Sequence, residues 1–269
     1  MKWIDSCMFN GESIIRLRLE YLFNDVDVFY ICEQRYTHQG SRKDILFFEK
    51  YAEWFTPYMS KIVMLIDENI IYGSSWDKEN AHRNYATQYI YDNHVNEKYV
   101  LSVCDCDEIP NIESVKSKKD LYDLCSEGAV YMDQKLFYYN LNWYIGPWKR
   151  AYFLNDITFN TYSNLQIFRD GSGPTTGLFD CGWHLSYFMN KEGIVNKIES
   201  NAHAEVNKTE FKDGNYIYRC MKEGMFLFNI NHNDKESSFQ GTKITLTKYS
   251  GNFPECFIRF NEELLKLQD

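Results

Sequence analysis

The chain reads as an α/β protein folded as one domain, and three observations predict this. Short apolar runs alternate with segments of helical period from residue 1 to residue 110. The order strand, helix, strand, helix, strand, helix, strand implies a largely parallel sheet with right-handed crossovers. At 269 residues and 44% hydrophobic, the chain can bury a sizeable core, and no internal repeat or low-complexity linker divides it.

Trp3 to Met8 is the first strand, ended by Asn10-Gly11-Glu12. Glu12 to Asn24 repeats Ile15, Leu19, Leu22 and Phe23 at helical spacing. Val26 to Cys32 is a second apolar strand that ends at Glu33, and Gln34 to Lys43 is a polar loop. Asp44 to Phe55 reads as a helix stopped at Pro57, and Lys61 to Ile66 as a third strand. Trp76 to His94 is helical, with Ala81, Tyr85, Tyr89 and Asn93 on one face. Beyond Pro110 the spacing predicts a helix over Ser114 to Ser126. Aromatic strands follow over Val130 to Leu141 and Ala151 to Phe159, joined through 142–148. Leu165 to Phe168 reads as a strand, Asp170 to Gly177 as a Gly/Pro/Thr loop, and Cys181 to Phe188 as extended. Lys191 to Asn201, Asn215 to Lys222 and Phe260 to Leu267 read as helices. The organisation expected is a nucleotide-binding half over 1–110, an acceptor and metal half over 111–210, and a helical tail over 211–269.

The fourth strand carries the chemistry. Tyr99 to Cys104 is apolar, and Asp105, Asp107 and Glu108 follow before Pro110 closes the segment. On an extended chain Asp105 and Asp107 share a side. Two carboxylates at the carboxyl end of a strand repel unless a cation sits between them. Oxygen ligands suit Mn²⁺ or Mg²⁺, which keep open positions for phosphate. This predicts a metal–diphosphate site; the bland alternative is a solvated acidic turn. Arg83 on the preceding helix suits phosphate oxygens, or else pairs with Glu79 one turn away.

Composition excludes several classes. A net charge of −9 disfavours a nucleic-acid partner. The 8 Cys include no Cys-x-x-Cys pair, so reduced thiols without structural zinc are expected. No stretch has the length of a transmembrane segment and no leader pattern opens the chain, which points to a cytoplasmic protein. The abundance of Asn, Lys, Ile and Tyr fits an AT-rich genome, as in a bacterium or a large virus.

Aromatic residues make up 17% of the chain, a share that suits surfaces stacking on sugars. Tyr138 to Trp143 combines flat rings with Asn amides, and Asp180 to Tyr187 combines a glycine turn, Trp183 and two titratable groups. His203 follows a predicted helix and stands two residues before Glu205.

The set resembles glycosyltransferase family 17, whose best-known member adds the bisecting GlcNAc of N-glycans. The likeness runs through Phe9–Glu12, Arg16, Leu19, Cys32-Glu33, Tyr36–His38 and Gly40, then Trp76, Glu79 and Arg83-Asn84. It continues through Asp105–Pro110, Tyr138–Trp143, Gly182–Tyr187, Lys197–Ser200, His203 and Glu205. Cys181 replaces a family glycine, Cys106 a small residue, and the animal enzyme's anchor and stem have no counterpart. The resemblance implies a GT-A-like fold, a nucleotide-sugar donor with UDP-GlcNAc as default, a glycan acceptor, and inversion at the anomeric carbon. On this reading Asp105, Asp107 and His203 hold the metal. Glu12, Glu33, Arg83, Asp105 and Lys197 hold the donor. Tyr139, Asn142, Trp143 and Trp183 meet the acceptor, and Asp180 or His184 is the general base, with both left open. A metal-dependent phosphohydrolase and a non-catalytic carbohydrate-binding module are the two alternatives.

Overall fold

The structure is a computed structural model that describes residues 1–115, 117–162, 164–169, 175–229, 237–239 and 242–268. Four strands begin the fold as the apolar runs require: β1 (Lys2–Met8), β2 (Val28–Gln34), β3 (Ile62–Asp67) and β4 (Tyr99–Asp105). All four run parallel, in the order β4-β1-β2-β3. Such strands are covered on both faces, so they carry continuous apolar runs.

The strand β5 (Glu108–Pro110) follows at once, and the run expected as one strand from Val130 splits at Asp133 into β6 (Ala129–Met132) and β7 (Gln134–Tyr138). The carbonyl of Asp133 accepts from the Cys181 N–H, and its own N–H donates to the Leu178 carbonyl. The two pieces enter different sheets. The segment expected to be a connection is β8 (Trp143–Trp148), antiparallel to β7. After β9 (Tyr152–Asn155) the expected strand gives way to the helix Asp156–Thr161, because Asn155 caps the Thr158 N–H. Leu165–Phe168 is likewise no strand: Gln166–Arg169 is a one-turn helix. Within the expected Gly/Pro/Thr loop, 170–174 lie outside the described residues, and Thr175–Leu178 is the strand β10. The extended piece after Cys181 is β11 (Gly182–Ser186).

The first sheet has seven strands, β10-β6-β9-β4-β1-β2-β3, and only β9 runs against the rest. The mixed α/β class expected of the chain is therefore the observed one. The second sheet has five strands, β14-β8-β7-β11-β5, where β14 is Thr247–Lys248. A small hairpin pairs β12 (Ser237–Phe239) with β13 (Thr242–Ile244). The tail is thus not purely helical. Its last helix, Glu255–Gln268, sends Phe257 and Leu264 into the same core as Leu17 and Trp183.

The helix expected over Trp76 to His94 is two, Ser75–Asn84 and Ala86–Asn93. Its buried face carries His82, Arg83, Ala86 and Ile90, whereas Tyr89 is exposed. The face is turned because His82 and Arg83 are drawn inward by polar partners. Among the described residues no helix is long and apolar enough to cross a membrane.

Candidate active site

Strand order locates the site. From β1 the chain builds outward to β2 and β3, then returns to place β4 on the other flank. Ligands of open α/β sheets bind at such a switch, beyond the carboxyl ends of the strands. Met8 ends β1 and pairs in register with Asp105, which ends β4. Both line a cleft of about 740 Å³, as do Glu12, Asp107, His184, Lys197 and His203.

A buried arginine shapes the acidic loop. Arg18 grips both oxygens of Asp5 at 2.8 and 2.6 Å, and its remaining Nη1 donates to the carbonyls of Asp105 and Glu108 at 3.2 and 2.7 Å. Opposite the loop, β11 pairs antiparallel with β5 and sets His184 across from Glu108. That approach needs Gly182, where φ is +136° and a Cβ would lie 2.2 Å from the Ile109 carbonyl.

The two aspartates have different company. Asp105 accepts from Arg83 and Arg169, each at 2.9 Å. Burial would raise its carboxyl, but Arg169 and Arg83 hold it down at about 2. Asp107 accepts from Lys197 at 2.8 Å, and its other oxygen lies 3.5 Å from His184 Nε2. Burial opposes its ionisation too, yet Lys197 and His184 keep it well below the ordinary carboxylate range. Among the described residues His184 Nδ1 is buried without a hydrogen-bond partner, and its ring lies 4.6 Å from that of Trp148.

The metal expectation can be tested on these groups. Among the described residues no three His, Cys, Asp or Glu side chains gather around one point, so Asp105, Asp107 and His203 do not form a ready trio. His203 lines the cleft, but its Nδ1 binds Glu205 at 2.6 Å and its ring packs edge-on to Trp76. Asp107 and His184 do fit an ion that takes few protein ligands and completes its shell with phosphate and water. At 3.5 Å their separation is long for a hydrogen bond.

Several expected contacts are not in the cleft. Glu33 is fully buried, and its oxygens are taken by Lys43 and by the N–H groups of Phe47 and Phe48, so it caps a helix instead of meeting a nucleoside. Arg83 stands behind the wall, holding Glu79, Gln166 and Asp105. Asp180 is exposed in a turn with φ +50°, pairs with Lys135 and does not line the cleft, so it is not placed there as a base. Tyr139 and Trp143 are core residues whose polar atoms bind the carbonyls of Met225 and Met221. Trp183 packs on Phe257 in the other core, and Asn142 is exposed outside the cleft.

The aromatic groups that do line the cleft are Tyr138, Trp148, Tyr187 and Trp76, with Phe226 and Phe228. Arg169 was also missed, and it lies in a four-residue helix too short to show a period. Trp148 lies on the same strand as Trp143, but the pairing of β8 with β7 shifts register beside Ile145, so alternation along the sequence does not tell their faces apart.

Among curated proteins none matches the chain. Solved structures that match include one described as S. aureus TarS 1–349, 15% identical, with a TM-score of 0.32. That match covers 51% of this chain and 36% of the other, and a likeness so slight carries no argument. The model of glycosyltransferase family 17 matches residues 1–249. The chain therefore belongs to glycosyltransferase family 17, a family of sugar-transferring enzymes.

Proposed function

We propose that the protein transfers a sugar, by default GlcNAc, from a UDP-sugar to a hydroxyl of a glycan acceptor, with inversion. The observation that carries this is the convergence of Asp105 and Asp107 with Arg169 and Lys197 in one cleft at the switch point of the sheet. A phosphohydrolase would also use clustered Asp and His, whereas a sugar-binding module has no need of that set. A sugar-binding module has no use for two aspartates held ionised by arginine and lysine, and family membership speaks against a phosphohydrolase.

In this reading Asp107 and His184 hold Mn²⁺ or Mg²⁺, which when bound neutralises charge developing on the departing diphosphate. Lys197, beside Asp107, supplies positive charge for a phosphate oxygen. Arg83 and Arg169 keep Asp105 ionised at the rim of the diphosphate site. Tyr138 and Trp148 supply flat rings beside the reacting sugar.

The test is a screen of nucleotide sugars read by release of UDP or GDP, with and without glycan acceptors, in Mn²⁺ and in EDTA. Acceptor-stimulated UDP release supports the reading. Release of inorganic phosphate from simple esters without any acceptor would replace it with hydrolysis.

A further inference from the structure

Glu108 closes the acidic run and has no place in the roles assigned so far. It is completely buried, and its carboxylate takes four donors. The Asp105 N–H reaches Oε2 at 2.7 Å, and Arg169 reaches Oε2 and Oε1 at 2.8 and 3.2 Å. The Trp148 indole N–H reaches Oε1 at 2.6 Å. A carboxylate has about four acceptor positions, so this one is saturated and fixed.

Each donor leads to a different part of the cleft. Arg169 passes from Glu108 to the Asp105 carboxylate at 2.9 Å. Trp148 passes from Glu108 to the ring of His184, at 4.6 Å between centroids, and His184 faces Asp107. Strand pairing adds a third link, since His184 lies directly across from Glu108. The Glu108 carbonyl is itself held by the buried Arg18.

We propose that Glu108 is the positioning residue of this site: one carboxylate sets Asp105 through Arg169 and sets His184 through Trp148. It touches no substrate. Its function is to hold the arginine side and the ion side of the diphosphate site at a fixed separation. Preorganisation of this kind matters because a carboxylate or an imidazole displaced by an ångström loses much of its value to a bound phosphate. The inference rests on the reading of the cleft as a donor-diphosphate site.

The test is calorimetric titration of UDP, in Mn²⁺, into wild type, Glu108→Gln, Asp105→Asn and the double variant. Glu108→Gln is expected to weaken UDP by about tenfold or more, and the double variant to bind only about threefold more weakly than Asp105→Asn alone, the loss left to the His184 side, because coupled residues are not additive. A residue that only supports the fold gives losses that multiply. Trp148→Phe keeps the ring and the Glu108–Arg169 pair while removing the indole N–H, so it serves should Glu108→Gln not fold. It is expected to weaken UDP about threefold in Mn²⁺ and to lower the ratio of affinities in Mn²⁺ and in EDTA, as coupling through His184 requires.

Wild-type affinity in Glu108→Gln, multiplying losses, or a Trp148→Phe protein indistinguishable from wild type overturns the proposal while the donor site stands. A wild-type protein that does not bind UDP removes both.

Discussion

Lys197 Nζ stands 2.8 Å from Asp107 Oδ2, with both side chains largely closed to solvent. A cation thus occupies the flank of the carboxylate that the proposed ion approaches. Replacing Lys197 by Met removes that competitor and also a partner for phosphate. UDP affinity is expected to fall about tenfold, since a charge-assisted contact is lost. Mn²⁺ alone is expected to bind more tightly than in wild type, as followed by the electron-resonance signal of free Mn²⁺. Unchanged UDP affinity would show that Lys197 does not reach the nucleotide.

Arg18 is fully buried and ties Asp5 to the backbone that carries Asp105 and Glu108. Arg18→Met leaves the Asp5 carboxylate buried with one hydrogen bond, from Ser102, instead of a fork. Breaking such a pair costs about 3–5 kcal/mol. Urea unfolding checks this, and a loss below about 1 kcal/mol would place the pair among neutral contacts.

His38 and His82 make acid a threat to the fold. His82 Nε2 donates to the Cys32 carbonyl at 2.8 Å, which leaves its Nδ1 to accept from His38 Nε2 at 3.2 Å, so the His82 ring is neutral. Burial, with Arg83 and Lys43 nearby, lowers His38 to about 3, and burial with His38 beside it lowers His82 well below the ordinary range. A histidine lowered in the folded state stabilises above its unfolded value and loses that contribution as pH falls. Stability is therefore expected to decline from about pH 6.5 downward, at up to about 1.4 kcal/mol per pH unit for each ring. Melting curves across pH 4 to 7 check it. A protein with His38→Gln should show a shallower slope, and an identical slope contradicts the assignment.

Trp143 separates packing from sugar binding. Its indole donates to the Met221 carbonyl at 2.8 Å, and Gly224 packs so closely that a Cβ would sit 2.3 Å from the ring. Trp143→Ala is expected to cost about 3–5 kcal/mol in unfolding. Acceptor KM, measured below the new Tm, should stay within about twofold, the scatter expected for a residue that makes no contact with the ligand. A large rise in acceptor KM with little loss of stability would return Trp143 to the acceptor site.

The parallel half of the fold was legible because buried parallel strands are continuous apolar runs, as Tyr99–Cys104 shows. The acidic corner was legible for the same reason: the run fixes where the strand ends, and the ligand site of such sheets lies beyond it. The aromatic half was not. Tyr138 and Tyr139 are neighbours in sequence, yet one lines the cleft and the other is in the core. Composition puts both on a sugar surface, and only the side of the sheet tells them apart. Asp180 and His184 fall together in sequence, but Gly182 turns the chain between them. Arg169 depends on a one-turn helix that no periodicity announces.

The most direct measurement is calorimetric titration of UDP into wild type and Asp107→Asn, each in Mn²⁺ and in EDTA. The account predicts binding in wild type that depends on Mn²⁺, and in Asp107→Asn weak binding that no longer responds to the ion. Equal affinity in all four titrations would contradict it, because the carboxylate held between Lys197 and His184 would then have no part in gripping the donor.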